Sequence, residues 1–125
     1  MAASFPTHPA AASLPLEEDE LLNLQDLLGQ EFNDIARLFL SDSIQRLEAM
    51  TKAAQNADFI TLQKISHSLC GSAASIGATN LSRHCNMLET DLRQGQTQQV
   101  AAHLHVISQE FKLIETRLQD ILGST

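Results

Sequence analysis

Seven apolar residues near the C-terminus, Val100, Leu104, Ile107, Phe111, Ile114, Leu118 and Ile121, follow one another at steps of 4, 3, 4, 3, 4 and 3. Steps of three and four put side chains on one stripe of an α-helix and scatter them over both faces of a strand. The segment is therefore a helix that must bury one side against other elements. The preceding chain supplies helices to meet it. Phe32, Ile35, Phe39, Leu40, Leu47 and Met50 recur at helical spacing between Gln30 and about Asn56. Leu62, Ile65, Leu69, Ser72, Ala73 and Ile76 share a face of the next segment, and Leu81, Cys85, Leu88 and Leu92 share a face of the one after.

Turn chemistry divides these segments. No proline occurs from Leu16 onward, and the five glycines, at 29, 71, 77, 95 and 123, fall mostly at the ends of the periodic runs. Gly29 closes a short acidic helix over Glu17 to Leu28, whose leading carboxylates suit the positive end of the helix dipole. Asp58 is placed to cap the third helix, Gly77 to end it, Thr79 or Asn80 to cap the fourth, and Gly95 to end that one. Four long amphipathic helices with short connections and no alternating β-type run give an all-α fold. The expected architecture is an antiparallel up-down-up-down four-helix bundle with an additional short N-terminal helix packed across one end.

With 125 residues the chain has material for one core of moderate size. All three prolines lie in residues 1–15, which carry many Ala and Ser and no charged side chain, so this stretch reads as a tail or linker ahead of a helical domain spanning 16–125. Fifteen Asp and Glu against eight Lys and Arg give a net charge of -7. That balance argues against a nucleic-acid or anionic-membrane partner, and no apolar run approaches the ~20 residues that cross a bilayer. Two cysteines, Cys70 and Cys85, lack the spacing of a disulfide scaffold or a zinc site. The expectation is a cytoplasmic monomer.

The third helix carries the specific chemistry. His67 points away from the apolar face, with Gln63, Lys64, Cys70, Gly71 and Ala74 around it and Ser68 and Ser75 at the flank. A glycine inside a helix costs up to about 1 kcal/mol relative to alanine, and close approach of another backbone is the usual reason to keep one. Between Phe59 and Leu88 there is no Asp or Glu at all. The surroundings of His67 thus read as free of carboxylates, suited to docking on an acidic pocket and lacking the acid that would orient the imidazole in a self-sufficient catalytic site. An exposed imidazole is largely neutral near pH 7 and keeps one lone pair free, so it can attack a phosphoryl group without a base.

The run His67-Ser-Leu-Cys-Gly-Ser72, followed by Gly77-Ala78, Leu81, Cys85, Leu88 and Glu89, resembles the histidine-containing phosphotransfer (HPt) domain pattern His-x-Leu-Lys-Gly-Ser, Gly-Ala, Leu, Cys, Leu-Glu. The resemblance extends over Leu16 to Leu122 and implies the same four-helix bundle. It also implies that His67 is the phosphoacceptor, that Gly71 lets a partner's loops come close, and that Lys64 and Ser68 lie in the docking surface. Such domains pass phosphoryl groups to or from receiver-domain aspartates in two-component phosphorelays. They act as intermediates without autonomous catalysis, and the Mg²⁺ sits on the receiver rather than here. Where the chain is joined to a hybrid sensor kinase, it belongs to that kinase. One position departs from the pattern: the family lysine three residues after the histidine is Cys70. Lys64, three residues before His67, is placed to substitute in part. The departure admits an alternative, a non-catalytic pseudo-HPt adaptor that binds receiver or kinase domains.

His84, Cys85, His103 and His105 are the residues that would suggest a metal. His84 and Cys85 are adjacent and His103 and His105 two apart, so neither pair shares a helix face, and no metal is expected. Cys85 falls on the core seam of the fourth helix and reads as a small packed residue.

Overall fold

The structure, a computed structural model, describes residues 20–123. The expected tail over residues 1–15 and the first carboxylates of the acidic helix lie outside that range. Five helices follow in order: α1 over residues 20–28, α2 Gln30–Gln55, α3 Phe59–Ser75, α4 Thr79–Arg93 and α5 Val100–Gly123. Packing runs around a ring, α2 on α3, α3 on α4, α4 on α5 and α5 back on α2. This is the expected all-α bundle, and no strand occurs among the described residues.

The same local device ends three of the helices. At the end of α3 the Ala78 N–H donates to Ala73 O at 2.8 Å and the Gly77 N–H to Ala74 O at 3.1 Å, the paired bonds of a Schellman turn with a left-handed residue between them. Gly77 is that residue, with φ +84°. The turn after α4 repeats the pattern through Gly95. After α2 it recurs with Ala57 at φ 54°, a conformation in which a Cβ is strained. Asp58 then caps α3 as expected, accepting from the Thr61 N–H at 3.2 Å. Hydrogen bonding from the Thr61 side chain and from its N–H holds the Asp58 carboxyl below the usual carboxylate range, with a smaller contribution from Lys64.

The α5 seam is the spine of the core. Ile107, Phe111, Ile114 and Leu118 are buried, and Leu104 and Ile121 pack against the core from its edge. Phe32, Met50, Leu62, Leu69, Leu81 and Leu88 meet them from the other helices. Cys85 is fully buried among them, and burial pushes its thiol up to about 12. α1 lies across one end of the bundle: Leu21 is buried, and a Cβ on Gly77 would meet Glu20 Cβ at 3.3 Å and Leu24 Cδ1 at 3.4 Å.

Two local expectations are corrected. Thr79 and Asn80 do not cap α4. The N-cap position is Ala78, which makes no side-chain cap bond. The Thr79 hydroxyl instead bonds Glu20 on α1, and Asn80 is buried beneath Arg83, which donates to it. Ile35, assigned to the core face of α2, is 43% exposed, because the buried stripe runs through Phe32, Ala36 and Phe39 instead.

Candidate functional site

The antiparallel packing of α3 on α4 brings the middle of α3 beside the C-terminal end of α4. Gln63, Lys64, His67 and Ser68 of α3 line a shallow cleft of about 410 Å³ with Glu89 and Arg93 of α4. The His67 side chain is 71% exposed, while that of Glu89 beneath it is 5% exposed. His67 Nδ1 lies 2.9 Å from Glu89 Oε2, and Arg93 Nη2 lies 2.6 Å from the same oxygen.

This corrects the expectation that no carboxylate orients His67. None is close in sequence, yet Glu89, 22 residues further on, supplies one across the helix interface. A guanidinium can only donate hydrogen bonds, so Oε2 accepts from Arg93, and as a carboxylate oxygen it accepts from the imidazole too. The hydrogen is then on Nδ1 and the lone pair on Nε2, the nitrogen not bonded to Glu89. The contact therefore selects one tautomer and one nucleophilic atom.

The remaining site residues are spread over the neighbouring surfaces. Cys70 turns along the α3–α4 interface: its Sγ lies 3.3 Å from Ser82 Oγ, and the Ser82 hydroxyl also bonds Cys70 O at 3.0 Å. Cys70 and Ala74 line a second cleft with Thr79, Ser82, Arg83 and Asn86, separate from the one that holds His67. Ser75 faces a groove toward α2, where Arg46 donates to Ser72 Oγ at 2.8 Å. Gly71 is exposed on the same helix, and a Cβ built there would meet nothing within 4 Å. No contact among the described residues explains this glycine, which points to a partner's close approach as the need for its missing side chain.

Glu89 and Arg93 were not among the expected site residues. Their signal was present in the sequence: Glu89 directly follows the seam residue Leu88, has an arginine four residues on, and completes the Leu-Glu step of the HPt pattern. Elsewhere, His103 Nε2 pairs with Asp91 Oδ2 at 2.7 Å between α5 and α4. Among the described residues no three His, Cys, Asp or Glu side chains are grouped to hold a metal ion.

A solvent-facing imidazole, held by a buried carboxylate on the side of a four-helix bundle, defines the class of helical histidine phosphotransfer modules. The Hpt domain family matches residues 34–123, and the chain belongs to that family. The fold is similar to that of histidine-containing phosphotransfer protein B (HptB) from Pseudomonas aeruginosa PAO1. The TM-score is 0.81 and the identity 26%, over 86% of this chain and 93% of that one. No curated protein sequence matches it. No helix among the described residues is long and apolar enough to cross a membrane.

Proposed function

We propose that the chain is the histidine phosphotransfer module of a two-component phosphorelay, accepting a phosphoryl group on Nε2 of His67 and exchanging it with the aspartate of a receiver domain. The observation that carries this reading is the pair formed by exposed His67 and buried Glu89. In the forward step the Nε2 lone pair forms a bond to phosphorus as the bond from phosphorus to the receiver's aspartate oxygen breaks. The aspartate leaves as a carboxylate. The Nδ1 hydrogen stays on the ring against Glu89, whose negative charge offsets the positive charge of the phosphorylated imidazole. Onward transfer is the reverse, with the electron pair returning to Nε2.

This chain contributes the nucleophile, its orientation and an approachable surface; phosphoryl transfer needs little else beyond in-line placement and charge neutralisation. The Mg²⁺ belongs to the receiver. Lys64, in the cleft beside His67, offers a cation to the phosphoryl oxygens where the family lysine is replaced by Cys70. Gln63, Ser68 and Gly71 form the near docking surface, with Cys70, Ala74 and Ser75 on its margins. The module acts as a cytoplasmic monomer.

The test is incubation with a phosphorylated receiver domain and Mg²⁺. Wild type should gain an acid-labile label that His67→Gln lacks, with the helical circular dichroism spectrum unchanged. Binding of a receiver without labelling would favour the adaptor, and labelling that survives in His67→Gln would place the acceptor elsewhere.

A further inference from the structure

Arg93 is the last residue of α4, where a basic side chain suits the negative end of the helix dipole whatever else it does. Its contact goes further than that. Its Nη2 bonds the same Glu89 oxygen that lies 2.9 Å from His67 Nδ1, so arginine, glutamate and histidine form one hydrogen-bonded chain from α4 to the nucleophile. Glu89 is the buried member, while the side chains of Arg93 and His67 are 57% and 71% exposed.

A carboxylate taken out of water must be paired, and the imidazole brings it only a single hydrogen bond. Arg93 is the cation that pairs it before any phosphoryl group arrives. Without that partner the carboxyl group either turns toward water or takes up a proton. A protonated Glu89 would donate its O–H to Nδ1, move the ring hydrogen to Nε2 and remove the lone pair that attacks phosphorus. The spacing of four residues, with glutamate ahead of the base, is the favourable order for such a pair on a helix.

We propose that Arg93 is a positioning residue that acts on His67 through Glu89, keeping the imidazole hydrogen on Nδ1 and the nucleophilic lone pair on Nε2. The effect on transfer rests on the phosphoacceptor reading above; the effect on the tautomer does not.

The experiment therefore reads both. Nitrogen NMR of the full chain with labelled imidazoles gives the His67 tautomer, and transfer from a phosphorylated receiver gives the rate. Wild type and Arg93→Lys should show the Nδ1–H tautomer, and Arg93→Ala should lose that bias and transfer about tenfold more slowly. In a Glu89→Gln background no buried charge needs pairing, so adding Arg93→Ala should change the rate by no more than about twofold. A wild-type tautomer in Arg93→Ala would overturn the proposal, as would equal rate losses in the two backgrounds. If wild type takes up no phosphoryl group, the phosphotransfer reading falls while the tautomer still decides the role of Arg93.

Discussion

Exchanging Glu89 for glutamine isolates what the buried carboxylate contributes to the chemistry. The replacement has nearly the same shape and keeps an oxygen that can accept from Nδ1, so the 2.9 Å contact can persist. The charge is lost. In free protein the ring bears no phosphoryl group and the change is modest. In the transition state for transfer the ring gains positive charge as Nε2 bonds phosphorus, and the contact becomes a charge-assisted hydrogen bond. Hydrogen bonds to charged groups contribute about 1.5–3 kcal/mol against about 0.5–1.5 for neutral ones. The difference of about 1–1.5 kcal/mol falls mainly on the transition state, which corresponds to transfer about tenfold slower. Rapid-quench measurement of label moving from a phosphorylated receiver reads this directly, and saturation with receiver separates it from binding. The expectation is a lower maximal rate with little change in the receiver concentration needed. An unchanged rate in Glu89→Gln and also in Glu89→Ala would refute the role given to the carboxylate.

Further outcomes follow from the turns, the surface and the core. Gly71→Gln should leave stability equal or improve it by up to about 1 kcal/mol, since the position is open, yet slow transfer by blocking approach; normal transfer would show that no partner needs the space. Substitutions at two of the three Schellman turns should act in opposite directions in chemical denaturation. Gly77→Ala should cost about 1–2 kcal/mol from its positive φ, with added strain against Glu20, whereas Ala57→Gly should gain up to about 1 kcal/mol. Cys85, raised from an ordinary value of 9.0 to about 12 by burial and secondarily by Cys70, should resist alkylation in the folded protein. Its folded value lies above the unfolded one, so the stability it contributes is complete below pH 9 and is lost as the pH rises toward about 12, which alkaline unfolding curves for wild type and Cys85→Ala would show.

The bundle was legible because its signals are local and redundant. The α5 seam, the Asp58 cap and the glycines at 77 and 95 each act within a few residues, and each appears where the spacing put it. The errors share a different origin. Thr79 has the chemistry of a cap, but its hydroxyl is drawn to Glu20, a partner 59 residues away on a helix laid across the end of the bundle. Ile35 fits a helical stripe on a wheel, but the stripe that is buried depends on which sides α3 and α5 occupy. His67 and Gly71 were visible on α3 because a histidine and a helix-interior glycine on one face are unusual by themselves. Glu89 is marked in the sequence only by the Leu-Glu step of the HPt pattern, and only the antiparallel contact of α3 and α4 makes it a neighbour of His67. It stands one residue beyond the carboxylate-free stretch from Phe59 to Leu88. Cys70 likewise looked like part of the histidine's face, yet its sulfur turns to Ser82.

The measurement that bears most directly on the site is the position of the nitrogen–phosphorus bond. Phosphorylated protein, prepared from a phosphorylated receiver with Mg²⁺, can be read by phosphorus and nitrogen NMR under native conditions. With Glu89 holding the Nδ1 hydrogen, the phosphoryl group should be bonded to Nε2 of His67 and to no other atom of the chain. A bond to Nδ1, or to a different residue, would contradict the role assigned to the His67–Glu89 pair.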